Sequence, residues 1–220
     1  MKKVSVIFKI VTIVSAILGT ILSVLDGDDF MSGMRVFMYF TIQSNIAIAI
    51  ICGIGLYFTR HDFPERIWPI IKLVGTVSIT LTGFVFCFVL APTLGDGAWA
   101  MKNILSHVVV PVAAIVDFFI VGQDFNLKTG SVLFIPIPPI IYAVYAGIGY
   151  VNGWEFSEGY NYPYFFLNWG SPAGAFGFTN ELPFMGCMWW IIALLIFLIV
   201  IGLLYLLGLK MLYKRKKVVD

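Results

Sequence analysis

Two histidines occur in this chain, and one of them, His107, lies within the apolar run between Lys102 and Phe119. An ionisable side chain in hydrocarbon is costly, so it faces the interior of a helix bundle and marks a candidate functional site. Pro111 follows four residues later. It has no N–H for the His107 carbonyl, so the helix should kink and leave that carbonyl free beside the imidazole. A second polar group lies in the run beginning at Val36, where Thr41, Ser44 and Asn45 fall at i, i+3 and i+4 on one helical face. An uncharged imidazole beside a hydroxyl can act as general base for a nucleophile, so Thr41 and His107 form a candidate catalytic dyad. The bland reading of the same residues is also physical. Serines and threonines in spans often bond back to the preceding turn or hold helices together.

The elements that would position these groups are membrane spans. The chain is 60% hydrophobic and 12% charged, with a net charge of +2 and a mean hydropathy of +0.95. That apolar fraction is well above the ~45–50% of soluble domains. Six apolar runs approach the ~20 residues needed to cross a bilayer, at Val4–Leu25, Val36–Phe58, Trp68–Ala91, Ala100–Val121, Ser131–Val151 and Phe184–Tyr213. The expectation is an all-α, six-transmembrane-helix bundle forming a single transmembrane domain over residues 1–220. The first run follows Lys2 and Lys3 but exceeds the ~7–15 residues of a signal-peptide core and lacks a small-x-small cleavage pattern, so it should be retained as a span.

Charge sets the expected orientation. With both ends on one side, that side collects twelve of the fourteen lysines and arginines, among them Lys9, Lys72 and the Lys214–Lys217 run, and only Arg35 and Lys102 fall on the other. The positive-inside rule places both termini in the cytoplasm. Lys214–Lys217 would anchor the last helix to an anionic leaflet, and nothing in the pattern points to nucleic acid. Cys52, Cys87 and Cys187 have no metal-ligand spacing and read as buried free thiols. Neither a metal nor a cofactor is expected.

Depth brings the two polar groups together. Both spans enter from the outer side, Thr41 ~8 Å and His107 ~10 Å below their starts at 1.5 Å per residue. Asn103, one turn above His107, could orient the imidazole or bind a polar group. Asn45, Ser44 and Asn103 are the candidate oxyanion donors or substrate-binding residues. Asp117 lies ~15 Å below His107, too far to complete a triad. Lys72 should reach its level, as a structural ion pair near the inner interface or as part of a second polar path. The outer loop 152–183 is long and rich in aromatic residues. It should be either a set of interface anchors or a cap that gates substrate.

Several of these residues carry a resemblance. Six spans, Thr41 within Tyr39-Phe-Thr-Ile-Gln-Ser-Asn45, His107-x-x-x-Pro111 with an acid further along, and Tyr162-Pro-Tyr-Phe-Phe-Leu-Asn168 after the fifth span resemble the androgen-induced membrane hydrolases, and more closely their bacterial six-helix relatives. The resemblance implies a threonine hydrolase that cleaves fatty acid esters of hydroxy fatty acids, with Thr41 as nucleophile, His107 as base and an acyl-threonine intermediate. The chain carries Asn168 where an acid is expected in the Tyr-Pro loop motif. The expected partners are the bilayer and a membrane lipid or fatty-acyl ester substrate, and the expected location is a bacterial cytoplasmic membrane. A different class of function stays open beside it, a non-catalytic lipid or small-solute binder or transporter, because proline-broken spans can line binding sites near mid-membrane.

Overall fold

The structure, a computed structural model, describes residues 2–219, with side chains described for all but Lys2, Asp124 and residues 213–219. It is 74% helical, with no strand among the described residues. Six helices are long and apolar enough to cross a membrane. Their surface has the inverted pattern that hydrocarbon requires. In span 1 (Lys2–Leu25) Ser5, Lys9, Thr12 and Ser15 are buried, whereas Ile7, Ile10, Val14, Ile17 and Ile21 are exposed. Water would demand the reverse, because exposed apolar surface is favourable only where the solvent is itself apolar. The chain is an integral, multi-pass membrane protein.

Span 1 packs on spans 2 and 4, and span 3 packs on the same two. Ala16, Cys52, Val110 and Ala114 meet at the centre of this four-helix group, where small residues allow backbones to approach without a hydrophobic driving force between helices. Span 6 (Cys187–Val219) lies against span 3. Span 5 and the outer loop join through Tyr142, Ala146, Phe156 and Phe166, which share one buried cluster with Leu81 and Leu198.

Element boundaries differ from the expected ones where prolines and caps intervene. Span 2 starts at Phe40, not Val36, and ends at Tyr57. Arg35–Met38 form a 3-10 turn and Tyr39 is extended, at φ −89 and ψ 140. Thr41 is therefore in the first helical turn rather than five residues inside. Span 3 runs from Trp68 through Val85, passes a π turn at Phe86–Leu90 and ends at Leu94, one turn beyond Ala91. Span 4 begins at Met101 and reaches Val121 through a π turn at Leu105–Val109. Span 5 opens as a 3-10 turn at Thr129–Phe134 and becomes α-helical only over Ile137–Val151, because Pro136, Pro138 and Pro139 withhold the N–H groups an earlier α start would need. The outer loop runs on to Gly186 before span 6.

The two cations expected on the face opposite the chain ends each meet an acid there. Lys102 pairs with Asp26, and Arg35 reaches Glu155 at 2.6 Å, tying the turn before span 2 to the loop. No side chain is described across the Lys214–Lys217 run, so its expected role as an anchor lies outside the described residues.

Candidate active site

The two π turns face each other and have the same cause. Pro92 and Pro111 cannot donate to the carbonyls of Phe88 and His107. The residue before each proline instead bonds five back, Ala91 to Phe86 and Val110 to Leu105. Such bulges relieve the clash of a proline ring with the preceding turn and recur at functional sites. Here they present Phe86 and His107 to one another. The rings stack at 3.9 Å with 19° between planes, which holds the imidazole in one orientation. The freed His107 carbonyl is accommodated by Gly83, where a Cβ would lie 2.8 Å from that oxygen and 3.0 Å from the Pro111 ring. Gly83→Ala should therefore push spans 3 and 4 apart beside His107. Overpacking of this kind costs about 1–3 kcal/mol, readable as a lowered unfolding midpoint in detergent.

His107 is 8% exposed and its two nitrogens have different partners. Nδ1 lies 3.0 Å from the Asn103 carbonyl, which can only accept. Nδ1 therefore carries the proton, and in the neutral ring Nε2 is an acceptor. Nε2 lies 3.3 Å from Thr41 Oγ1, so the threonine hydroxyl donates to it. The expected dyad is in contact, and its base is in the tautomer that can take the hydroxyl proton.

The loop supplies a third member. Tyr164 is hydrogen-bonded twice to Thr41. Its hydroxyl accepts from the Thr41 N–H at 3.3 Å and lies 3.4 Å from Thr41 Oγ1. Because Thr41 gives its proton to His107, Tyr164 is the donor in the second bond. Thr41 N–H is free for this because first-turn helix amides have no intrahelical acceptor. Burial pushes the Tyr164 phenol up to about 12, against a smaller opposing effect of the Thr41 bonds, so it stays protonated. A relay of donors runs from Tyr164 through Thr41 to His107 and on to the Asn103 carbonyl.

The remaining expected donors do not face the threonine oxygen. Ser44 Oγ donates to the Thr41 carbonyl at 3.0 Å and shares a 2.7 Å bond with Thr82. Asn45 Nδ2 donates to the Thr41 carbonyl at 2.8 Å and to the Ser106 carbonyl at 3.2 Å. Both are positioning residues. Asn45 fastens the turn that holds Thr41 to the residue preceding His107. The Asn103 side chain is turned to the Ala98 carbonyl at 3.0 Å, and only its backbone oxygen orients the imidazole. Asn168 accepts from the Gly170 N–H within its own turn. Among the described residues no group of His, Cys, Asp and Glu could hold a metal.

A narrow cleft with a cavity volume of about 70 Å³ reaches Thr41, and His107 is not among its lining residues. Thr41, Thr82, Tyr142 and Tyr164 are its hydroxyl-bearing walls, and the rest is apolar, including Leu81, Phe166 and Leu194. Span 4 does not border it. His107 thus contacts Thr41 without lining the cleft.

Asp117 and Lys72 meet elsewhere, at 2.7 Å, and Lys9 joins them. Lys9 Nζ lies 2.7 Å from the other Asp117 oxygen and also donates to Ser5. Ser5 donates to the same carboxylate oxygen at 2.7 Å. By sequence Lys9 counts only among the cations of the side that holds the chain ends, and the structure buries it, at 3% exposed. Its burial was foreshadowed by its place in span 1, four residues after Ser5 and three before Thr12, on the polar face.

Comparison with protein-family models, curated sequences and solved structures found no match.

Proposed function

We propose that the protein is an integral-membrane esterase that hydrolyses fatty-acyl esters with a Thr41–His107 dyad. The observation that carries this reading is the Thr41 Oγ1 to His107 Nε2 contact, with Nδ1 held by a backbone acceptor. Thr41 Oγ1 attacks the ester carbonyl carbon as its proton passes to Nε2. The new oxyanion accepts from the Tyr164 hydroxyl and the Thr41 N–H, the two donors beside the nucleophile. The tetrahedral intermediate expels the alcohol, which takes the proton from His107 and leaves an acyl-threonine. Water, deprotonated by the same nitrogen, then releases the acid and restores Thr41.

The apolar cleft supports the substrate class. An acyl chain placed among Leu81, Phe166 and Leu194 brings its carbonyl to Thr41. The likeness of Tyr39–Asn45 and His107–Pro111 to the androgen-induced membrane hydrolases supports the same chemistry, and membership of that group with residence in a bacterial cytoplasmic membrane is part of the proposal. The test is labelling of the purified protein in detergent with a fluorophosphonate probe. Wild type should be labelled at Thr41. Tyr164→Phe, which keeps the ring and removes one oxyanion donor, should react about 10²–10³-fold more slowly. Absence of labelling in folded protein, together with absence of turnover on acyl esters, would reject the esterase.

The second reading, a non-catalytic lipid binder or transporter, is favoured by the same cleft, because its apolar walls would hold an acyl chain without any reaction. Stoichiometric acyl lipid retained by wild type, unchanged in Thr41→Ala and never turned over, would select it.

A further inference from the structure

The Lys9–Asp117–Lys72 cluster plays no part in the ester chemistry, and its charges do not balance. Two ammonium groups share one carboxylate, and among the described residues no second acid pairs with either. All three side chains are at least 97% buried, where an uncompensated charge is expensive. Lys9 packs closely on the backbone of span 2. A Cβ at Gly55 would lie 2.8 Å from Lys9 Cε, so a larger residue there would force the lysine stem to shift.

Both lysines line a second cavity, of about 670 Å³, bounded near them by Ser5 and at its mouth by Arg60, Asp62 and Glu65 of the loop between spans 2 and 3. Arg60, Asp62 and Glu65 are exposed and so act through water. The lysines are not, and a charge interaction at a dry floor is several-fold stronger than at a wet rim. Each ammonium has three N–H groups. Lys9 uses two on Asp117 and Ser5, whereas Lys72 donates to the Cys52 sulfur at 3.6 Å and faces the second Asp117 oxygen at 2.7 Å as an ion pair. At least one donor on each remains.

We propose that this vestibule is a binding site for a small oxyanion, a carboxylate or phosphate group, held by the remaining donors of Lys9 and Lys72 with Asp117 fixing both ammonium groups. The ligand neutralises the surplus charge that the cluster buries. The site is independent of the Thr41 chemistry and stands or falls without it.

The test is the thermal unfolding midpoint of the full chain in a neutral detergent, in sodium phosphate, sodium acetate or sodium chloride at equal ionic strength. Phosphate or acetate should raise the midpoint above that in chloride, increasingly with concentration. Lys9→Met and Lys72→Met each leave one Lys–Asp pair, so they remain folded, and the apparent affinity should fall about tenfold or more in each. Thr41→Ala should respond as wild type does, whatever its effect on ester turnover. Dodecyl phosphate acting where inorganic phosphate does not would assign the site to a lipid headgroup, and both acting would assign it to a free anion. A folded wild type that none of these oxyanions stabilises beyond chloride would overturn the proposal. So would an undiminished response in both methionine variants.

Discussion

Thr41→Ala should lower ester turnover by about 10⁴-fold or more, and His107→Ala by about 10²–10⁴-fold, with neither change unfolding the bundle. The sizes differ because the two groups do different things. In the proposed mechanism, removing Thr41 deletes the atom that would form the acyl bond, and a water in its place would lack both the covalent intermediate and the Tyr164 bond. Removing His107 leaves the hydroxyl in position, with its 3.3 Å acceptor gone, so attack must proceed with no local base. The pair acts as a unit, and the double variant should be no slower than Thr41→Ala alone. Thr41→Ser keeps the hydroxyl and should retain most activity. The measurement is kcat on a long-chain acyl ester in detergent, with circular dichroism to establish folding. Turnover undiminished in purified Thr41→Ala would end the dyad mechanism.

Asp117→Ala should be the most destabilising single change in the bundle, at about 3–5 kcal/mol. The carboxylate is fully buried and is the shared partner of Lys9 and Lys72, each at 2.7 Å. Its loss leaves two ammonium groups facing each other in a low-dielectric interior, across spans 1 and 3. A cluster replaced as a whole behaves differently. Combining Asp117→Leu with Lys9→Met and Lys72→Met removes every charge at once and should recover most of the lost stability, as buried ion pairs replaced by apolar groups often do. Denaturant midpoints in mixed micelles would show both effects. An Asp117→Ala variant as stable as wild type would mean that the lysines are not held charged by this carboxylate.

Gly83 and Asn45 show how the site depends on backbone geometry that residue types only partly announce. The His107-x-x-x-Pro111 spacing was enough to expect a free carbonyl and a kink. It could not say that Gly83 would face that oxygen so closely that a Cβ there would lie 2.8 Å from it, because such a contact belongs to two helices. Asn45 was legible as polar and inward-facing, and its place on the Thr41 face held. Its direction was not legible, and it points to two backbone carbonyls rather than to the reacting atom.

What the sequence by itself determined is the solvent and the architecture. Six runs of apolar residues, each near bilayer length, leave the backbone no way to satisfy its hydrogen bonds except as helices. The helical repeat then assigns Thr41, Ser44 and Asn45 to one face of span 2. Tertiary structure decided which faces meet. In lipid, inward and outward positions are both apolar, so hydrophobic periodicity, the usual guide to a buried face, is weak, and partners are chosen by close packing. The encounter of Thr41 with His107, 66 residues away, and with Tyr164, 123 residues away, arises in that way. So does the third member of the Lys72–Asp117 pair. Lys9 lies 108 residues from Asp117, and only the packing of span 1 on span 4 brings them together.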